Sequence, residues 1–251
     1  EGILMLEGNM TEWAVELRDV MKTYRTGPIE VPALRGVNLR VAPREFLAIA
    51  GPSGSGKTTL LNIIGGLDQA DAGEVWVAGQ NLQRLSSGEL ARLRLQRLGF
   101  VFQAYNLLPV LTALENAEFT LLLQGVPARQ RQERVQKLFQ EIGLAGLENR
   151  RPAELSGGQQ QRVAVARAMV TKPALILADE PTANLDSATA AALLDVMEQL
   201  NRTTGTIFIF STHDLQVMER AHRLIHLRDG QIVSDVAHAG HAPRAESGGH
   251  A

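Results

Sequence analysis

A glycine-rich run between residues 51 and 59 has the residue types and spacing of a phosphate-binding loop. It reads Gly-Pro-Ser-Gly-Ser-Gly-Lys-Thr-Thr and matches the pattern G-x-x-x-x-G-K-[ST] in full. A short buried strand, Phe46–Ala50, is predicted before the run, and a helix is predicted from about Lys57. Glycines let backbone N–H groups converge on phosphate oxygens, and the helix N-terminus adds the positive end of its dipole. The alternative is a turn that only joins strand to helix, and the full match in this context disfavours it.

The polar residues of this loop have separate predicted tasks. We expect the Lys57 ammonium to bind the β- and γ-phosphates of ATP, and the Thr58 hydroxyl to ligate Mg²⁺. ATP and Mg²⁺ are therefore the predicted ligands of the chain. The other candidate ATP-binding residues of the run are Gly51, Ser53, Gly54, Ser55, Gly56 and Thr59.

Two adjacent carboxylates follow a second buried strand. The apolar run 175–178 ends at Asp179, and Glu180 comes next. We expect Asp179 to hold Mg²⁺, through water, and Glu180 to act as general base for the attacking water. Taken alone, the pair could also be a solvated acidic cap of the loop before Pro181, which is the less favoured interpretation. The phosphate-binding loop makes the catalytic interpretation the stronger one.

Residues 155–159, Leu-Ser-Gly-Gly-Gln, supply a second candidate anion site. They precede a predicted helix over 160–170, and a serine with two glycines at a helix start can bind an anion. One nucleotide does not need two γ-phosphate sites in one chain. A head-to-tail homodimer resolves this, because each chain's second site would then close over the ATP of the other chain.

Strands that alternate with helices predict an α/β fold with a mainly parallel sheet covered on both faces. Alternating apolar residues at 13–17 and 37–41 predict an N-terminal antiparallel β-subdomain. Strand-like alternation disappears from about residue 104, which predicts an inserted α-helical subdomain. An Asp229-Gly230 pair between two apolar runs predicts a type I′ hairpin. Further strands are predicted at 74–78, 99–103, 174–178 and 206–210, and further helices at 89–98, 112–124, 128–142 and 190–200.

These patterns divide the chain into five predicted parts. Residues 1–12 form an N-terminal extension, and 13–103 form the first part of a nucleotide-binding core that includes the antiparallel β-subdomain. Residues 104–160 form the helical subdomain, and 161–236 complete the core. Residues 237–251 are small and polar, which predicts a disordered tail.

Composition excludes several classes of function. The 251 residues are 45% hydrophobic, and 25 basic residues against 27 acidic ones give a net charge of −2. There is therefore no bulk electrostatic attraction to nucleic acid, and aromatic residues are too few, at 4%, to form interleaved stacking platforms. The chain has no cysteine, which excludes disulfides and cysteine metal sites. No run is long enough to span a bilayer and no signal peptide is evident, so a cytosolic protein is expected.

At this point the sequence resembles the ATP-binding subunits of ABC transporters, from about Trp13 to Val233. Residues 155–159 match the signature motif of that family without change. Gln103 matches its Q-loop glutamine, residues 183–186 match its D-loop, and His213 matches its switch histidine. Tyr24 matches the aromatic residue that stacks on adenine. Taken singly, Gln103 could be an ordinary strand-end residue, His213 a capping residue and Tyr24 a packing residue.

The resemblance implies an ABC ATPase fold built on a P-loop NTPase core, with ATP hydrolysed by a homodimer. It places Gln103 with Thr58 and Asp179 around Mg²⁺, and it has His213 steady the geometry around Glu180. The residues implied to bind the partner chain's ATP are Ser156, Gly157, Gly158, Gln159 and Asp186.

Finer matches resemble the LolD/MacB group of lipoprotein-releasing and macrolide- or lipid-exporting ATPases. They lie at 65–68, 99–103, 106–109, 111–116 and 155–162. This group implies a separate membrane permease with four helices and a large extracytoplasmic domain. The chain would then bind that permease peripherally, at the cytoplasmic face of the inner (plasma) membrane. Ala183 and the segment 43–45 depart from the usual pattern of the group, and neither change removes a catalytic group.

Three alternatives remain open at the level of the sequence. A soluble ATPase of this type acting on nucleic acid or ribosomes usually carries two ATPase halves or long coiled coils, and neither is present. A subunit of an importer would share the same motifs. A regulatory nucleotide sensor would need a defective catalytic site, yet Glu180 and His213 are both present. The transported substrate cannot be inferred from these residues.

Overall fold

Two β-sheets and seven α-helices organise residues 13–238, the part of the chain described by the computed structural model. The predicted extension 1–12 and residues 239–251 of the predicted tail lie outside the described residues. The strands are β1 Val15–Thr26, β2 Ile29–Val41, β3 Phe46–Ala50, β4 Ala72–Val77, β5 Gln80–Asn81, β6 Leu98–Phe102, β7 Leu175–Asp179, β8 Ile207–Thr212, β9 Arg223–Arg228 and β10 Gln231–Ala237. The helices are α1 Lys57–Ile64, α2 Ser87–Arg97, α3 Ala113–Leu123, α4 Ala128–Glu141, α5 Gly157–Met169, α6 Ser187–Thr204 and α7 Leu215–Arg220.

The smaller sheet confirms the predicted antiparallel start of the chain. Its strand order is β2-β1-β4-β5, and every neighbouring pair is antiparallel. The alternating apolar residues, among them Val15 and Leu17 on β1 and Val37 and Leu39 on β2, are buried on one face. At the other end of β1, Tyr24 lies directly opposite Val31 on β2.

The larger sheet confirms the predicted parallel core. Its order is β10-β9-β3-β8-β7-β6, and all neighbours from β9 to β6 are parallel. Phe102 on β6 pairs with Asp179 on β7, which pairs with Ser211 on β8. The strands therefore end together, and the loops that follow them meet at one edge of the sheet, where α/β proteins bind ligands.

Both faces of the large sheet are covered, which explains the continuous apolar runs of its strands. Phe46, Phe208 and Phe210 point into a core shared with α3 to α6, and the ring centroid of Phe46 lies 4.7 Å from that of Phe210. Their neighbours in sequence, such as Leu47 and Ile209, point to the opposite face and pack against α1 and the smaller sheet. The period of two along each strand thus divides the core into two layers.

The helical block between β6 and β7 matches the predicted change of pattern. Helices α3 and α4 lie within one or two residues of their predicted bounds and pack against each other and against α5. Helix α5 crosses the predicted division at residue 160, because it runs without a break from Gly157 to Met169. None of the helices within residues 13–238 is long and apolar enough to cross a bilayer.

The C-terminal hairpin also follows the prediction. Asp229 and Gly230 have φ values of 49° and 77°, and the left-handed conformation at both positions is that of a type I′ turn between β9 and β10. The predicted tail begins too early, however. Ala237 is the last residue of β10, and the His238 N–H donates to the His222 carbonyl at 2.8 Å. Strand pairing therefore extends past the predicted start of the tail at residue 237.

A buried amide fixes the end of α6 to the start of β3. Asn201 is 3% exposed, and its Nδ2 donates to the carbonyls of Thr206 at 2.8 Å and Arg44 at 3.0 Å. These bonds lie at the end of the large sheet opposite to the carboxyl ends of its parallel strands, so Asn201 stabilises the core at a distance from the loops at that edge.

Candidate functional site

A cavity of about 710 Å³ opens at the carboxyl edge of the large sheet. It brings together residues predicted separately from five distant parts of the sequence. The predicted residues that line it are Tyr24, Ser53, Gly54, Gly56, Lys57, Thr58, Thr59, Gln103, Glu180 and His213. Val31, Pro32 and Ala33 complete the wall on the side of Tyr24. The cavity joins an apolar side, suited to a base, to a polar side lined by the glycine-rich loop.

The glycine-rich loop links β3 to α1 as predicted. Gly56 has a φ of 103°, and a Cβ there would come within 2.4 Å of the Ala33 carbonyl oxygen, so no other residue fits. Lys57 begins the helix and is 8% exposed. Its ammonium donates to the carbonyls of Gly51 at 2.8 Å and Pro52 at 3.1 Å. The Lys57 ammonium is therefore bonded to the backbone of its own loop, at the wall of the cavity.

Gly51 and Ser55 differ from the other candidate ATP-binding residues of the loop, because they do not line the cavity. A Cβ on Gly51 would come within 2.1 Å of the Leu227 carbonyl oxygen, so this glycine allows close backbone packing. Ser55 is 2% exposed, and within the described part of the chain its hydroxyl oxygen has no hydrogen-bond partner. A buried hydroxyl without a partner in a phosphate-binding pattern fits a group that bonds to a ligand.

Thr58 and Asp179 form the oxygen pair expected of a magnesium site. The Thr58 hydroxyl lies 3.2 Å from each carboxylate oxygen of Asp179, although the two residues are far apart in sequence. The parallel pairing of β7 with β6 and β8 fixes Asp179 at this place. Hydroxyl and carboxylate oxygens are the hard ligands that Mg²⁺ takes beside phosphate, so the donor set fits that ion.

Glu180 occupies a strained position beside this pair. Its φ of 48° lies in the left-handed region, which is unfavourable for a side chain of this size. Its N–H donates to the Ser211 carbonyl at 2.9 Å, and its Oε1 lies 2.9 Å from His213 Nδ1. Its Oε2 is buried and has no hydrogen-bond partner among residues 13–238. One carboxylate oxygen is thus bonded to the histidine, while the other makes no hydrogen bond within the described residues.

Gln103 follows β6 and faces the same cavity. Its carbonyl accepts a hydrogen bond from Asn184 Nδ2 at 3.0 Å. The next residues of the loop, Tyr105 and Asn106, have φ values of 59° and 51°, and their carbonyls accept hydrogen bonds from the Arg167 guanidinium. Burial lowers the pKa of Arg167. Side chains from two distant segments therefore fix the backbone beyond Gln103.

Tyr24 is held by a cluster that the sequence analysis did not assign. Its hydroxyl donates to Asp68 Oδ2 at 2.7 Å, and the Lys22 ammonium lies 5.2 Å from its ring centroid. Lys22 also donates to Asp68 Oδ1 at 2.8 Å and to the Gln69 carbonyl at 2.8 Å. Asp68 was named above only as the last residue of the motif match at 65–68, and no contact with Tyr24 was predicted for it. No role could be predicted for Lys22 from the sequence, because its partner Asp68 lies 46 positions away in the chain.

The segment 156–159 forms the first turn of α5, so the predicted helix start at residue 160 is wrong by three positions. The reason is a capping box. Ser156 Oγ accepts from the Gln159 N–H at 3.3 Å, and Gln159 Oε1 accepts from the Ser156 N–H at 2.9 Å. These two hydrogen bonds satisfy backbone N–H groups in the first turn, so the helix starts here although two glycines follow the cap.

The same segment lies next to the predicted D-loop. A Cβ on Gly158 would come within 2.3 Å of Thr189 Cγ2, and the Thr189 hydroxyl donates to Asp186 at 2.6 Å. Asp186 caps α6 through its Oδ1. Neither residues 156–159 nor Asp186 line the cavity. The chain therefore carries two separate groups of predicted ATP-binding residues.

The sequence profile of the family described as ABC transporter matches residues 34–183, more than half of the chain. The chain belongs to the ABC transporter family. As a member of this family, the cassette binds and hydrolyses ATP, which confirms the predicted enzyme class.

Several curated proteins are closely similar to the cassette. It is 46% identical to an uncharacterized ABC transporter ATP-binding protein of Thermotoga maritima, over 87% of this chain and 93% of that protein. It is 45% identical to the lipoprotein-releasing system ATP-binding protein LolD of Pseudomonas fluorescens, over 90% of this chain and all of that protein. It is also 45% identical to the macrolide export ATP-binding/permease protein MacB of Syntrophobacter fumaroxidans, over 92% of this chain but only 32% of that protein. The predicted LolD/MacB-like membership is confirmed.

Solved structures confirm the predicted fold. The cassette superposes with a TM-score of 0.83 on the ATP-binding cassette MJ0796, whose dimer was solved in a post-hydrolysis state bound to ADP and Pi. The two chains are 41% identical, and the match covers 89% of this chain and 98% of that one. The α/β core, the N-terminal antiparallel sheet and the helical insertion are therefore those of an ABC ATPase.

The cluster around Tyr24 predicts a specific dependence of stability on pH. Burial raises the pKa of Asp68, but the hydrogen bonds from Lys22 and Tyr24 outweigh it and leave the pKa below its ordinary value. A lowered pKa stabilises the fold above the unfolded-state value of about 3.9, and this contribution is lost as pH falls through the folded-state pKa. We expect Asp68→Asn to lower the free energy of unfolding by about 1 kcal/mol at pH 7, since the carboxylate is partly exposed.

Urea unfolding at pH 7 and pH 3 tests this expectation. The difference between wild type and Asp68→Asn should shrink at pH 3. Asp229→Asn, which changes an exposed carboxylate in the hairpin turn, is the matched control and should alter neither value appreciably. A difference that stays constant or grows in acid would contradict the assigned role of the Asp68 carboxylate.

Proposed function

We propose that this cassette acts as a homodimer that binds two ATP·Mg²⁺ and drives a separate LolD/MacB-type membrane subunit. The observation that carries this proposal is the division of the candidate residues into two groups. One cavity collects the phosphate loop, Gln103, Glu180 and His213, while residues 156–159 lie outside it. A two-fold dimer supplies each cavity with the missing group from the other chain.

Within one chain, the proposed binding roles follow from the positions of the side chains. Tyr24, held by Asp68 and Lys22, stacks on adenine. Lys57 leaves the carbonyls of Gly51 and Pro52 and binds the β- and γ-phosphates. The remaining residues of the run that we propose to bind phosphate are Ser53, Gly54, Ser55, Gly56 and Thr59, while Gly51 allows the loop to pack closely on Leu227.

Thr58, Asp179 and Gln103 are the proposed ligands of Mg²⁺, with Asp179 acting through water. When bound, Mg²⁺ neutralises charge on the β- and γ-phosphate oxygens. The support from this chain is the pairing of Thr58 with Asp179 at 3.2 Å and the place of Gln103 on the wall of the same cavity.

Hydrolysis then depends on Glu180 and His213. Water attacks the γ-phosphorus, the bond to the β–γ bridging oxygen breaks, and ADP leaves with that electron pair. Glu180 Oε2, which makes no hydrogen bond within the described residues, accepts the proton of the water. His213 holds Oε1 at 2.9 Å and so fixes the direction of the free oxygen. Inorganic phosphate is the second product.

The opposite chain completes the proposed site. Ser156, Gly157, Gly158 and Gln159 cover the γ-phosphate from the other subunit, where the N-terminus of α5 offers N–H groups and the positive end of its dipole. Asp186 belongs to the same surface, because Thr189 links it to the start of α5. Hydrolysis reopens this interface.

The proposed partner is a permease with four helices and a large extracytoplasmic domain, and the cargo is a lipophilic substrate, a lipoprotein or a drug. LolD and MacB, which this chain resembles at 45% identity, support the exporter assignment over an importer or a soluble ATPase acting on nucleic acid or ribosomes. The chain spans about a third of the MacB proteins it matches. The cassette would bind its permease at the cytoplasmic face of the inner (plasma) membrane.

We place the docking surface for this permease between Gln103 and Gly125. This stretch joins the nucleotide cavity to the helical subdomain, which we assign to residues 104–160. Its exposed apolar side chains are Leu108, Val110, Leu122 and Leu123, of which Val110 is 74% exposed. Exposed apolar surface is typical of contact sites, and these four side chains are the candidates to supply it.

The role of Glu180 makes a direct prediction. Glu180→Gln keeps the size of the side chain but removes the base, so we expect hydrolysis to fall about 10²–10⁴-fold while ATP still binds. Steady-state phosphate release and nucleotide binding measure the two quantities. Glu141→Gln, on the exposed end of α4, is the control and should hydrolyse ATP normally. Near-normal turnover by Glu180→Gln would remove Glu180 from the proposed role.

Complementation tests the sharing of sites between chains. We expect Lys57→Ala to lose ATP binding and Ser156→Arg to block the partner's site, so that each variant alone is inactive. In a mixture, each mixed dimer has one cavity with both an intact Lys57 and an intact Ser156. Hydrolysis should therefore recover toward roughly a quarter of the wild-type rate in an equimolar mixture, because half of the dimers are mixed. A mixture as inactive as its components would contradict shared sites.

The partner can be captured with the hydrolysis-deficient chain. We expect Glu180→Gln with ATP to retain a four-helix permease with a large extracytoplasmic domain from solubilised membranes, as identified by mass spectrometry. The double variant Lys57→Ala, Glu180→Gln is the control and should retain less of it. Recovery of a many-helix importer permease would overturn the exporter assignment, and recovery of ribosomes or DNA would favour the soluble alternative.

A further inference from the structure

Gln161 is a fully buried amide that has no place in the site described above. It lies on α5 five residues beyond Ser156 and is 0% exposed. Its Nε2 donates to the Pro181 carbonyl at 2.6 Å and to the Phe102 carbonyl at 3.3 Å. Both partners can only accept hydrogen bonds, so the nitrogen of the amide, not its oxygen, must face them.

The two carbonyls belong to the two loops that carry catalytic candidates. Phe102 immediately precedes Gln103, and Pro181 immediately follows Glu180. Phe102 and Asp179 are paired across β6 and β7, so the ladder of backbone hydrogen bonds ends where these loops begin. Beyond that point, the Gln161 amide is a direct link between the two loops.

The backbone at Glu180 needs such a link. A non-glycine residue with a φ of 48° is held in that conformation only when the surrounding structure fixes it. The Glu180 N–H is bonded to Ser211, and the Ala183 N–H closes the turn on the Glu180 carbonyl at 3.2 Å. Proline has no N–H, so the Pro181 carbonyl is the one backbone polar group through which that residue can be held. Gln161 bonds to that group.

The oxygen of the Gln161 amide indicates that a contribution to stability is not the reason for a glutamine at this position. Gln161 Oε1 is buried and has no hydrogen-bond partner in the portion of the chain that the structure covers. A half-satisfied amide is a poor choice for a core position compared with an apolar residue of the same length. What an apolar residue could not do is hold the Phe102 and Pro181 carbonyls together.

We propose that Gln161 is a positioning residue for hydrolysis, which sets the spacing between Gln103 and Glu180 and ties both to the start of α5. It acts through the backbone of the two loops, because both of its hydrogen bonds go to backbone carbonyls. This inference rests on the proposed roles of Gln103 and Glu180. Because Gln161 and Ser156 share one helix, the segment that covers the partner's ATP is connected directly to the catalytic residues of its own chain.

Gln161→Met tests the inference, because methionine keeps the length and burial of the side chain and lacks the donor. We expect kcat for ATP hydrolysis to fall about 10- to 10²-fold, the scale of a small misplacement of reacting groups. The dissociation constant for a fluorescent ATP analogue should change by less than about threefold, since no binding contact is removed. Asn201→Ala, which removes a buried amide remote from the cavity, is the matched control and should leave kcat unchanged even if it lowers the melting temperature.

Hydrogen exchange of the full chain gives a second, independent measurement. In Gln161→Met, amide exchange should speed up in both loops, at 102–105 and 180–183, and in Asn201→Ala at neither. Gln161→Leu, which also lacks the donor and has a smaller side chain, substitutes if the methionine variant does not fold. Unchanged kcat, or unchanged exchange in the two loops, would overturn the inference. Normal turnover by Glu180→Gln would instead overturn the proposed role of Glu180 and leave the exchange result standing.

Discussion

Parallel pairing of the central strands is the constraint on which the rest of this structure depends. Each strand of the series β6, β7, β8 and β3 is followed by a loop at the same edge of the sheet, because parallel strands must be joined by crossovers that return to the opposite end. The pairing of Phe102 with Asp179, and of Asp179 with Ser211, sets where each loop begins. Gln103, Glu180 and His213 meet because of this register, although 110 positions separate the first from the last.

The residues at this edge combine backbone strain with buried polar groups that lack partners within residues 13–238. Glu180 has a left-handed backbone, and the Ser55 hydroxyl is a buried donor without a partner among the described residues. Lys57 meanwhile bonds to carbonyls of its own loop. Strain and unsatisfied polar groups at one place are typical of sites shaped for a ligand, and the rigid sheet beneath them supplies the stability that they lack. The proposed sharing of sites between two chains is consistent with the position of the α5 N-terminus, which lies outside the cavity of its own chain.

The sequence by itself determined the elements and much of the site. Strand and helix identities followed from periodicity, because a strand buried on both faces is apolar throughout and an amphipathic helix repeats every three or four residues. The glycine-rich loop and the acidic pair 179–180 could be recognised as a candidate site from the sequence, because the residues that define each of them are neighbours in the chain. The start of α5 was misjudged because two glycines argue against a helix, while the capping box of Ser156 and Gln159 stabilises one.

Tertiary structure alone decided which distant residues support the candidate catalytic and binding residues. The Lys22–Asp68–Tyr24 cluster, the Arg167 contacts beyond Gln103 and the bridge made by Gln161 join residues 20 to 62 positions apart. Lysine, arginine and glutamine are common on helix and strand surfaces, and nothing in their local sequence distinguishes a buried, bonded one from an exposed one. Their partners are mostly backbone carbonyls, which every residue has. For Arg167 and Gln161, the packing of α5 against β6 and the loops at the ends of β6 and β7 decides which carbonyls they bond to.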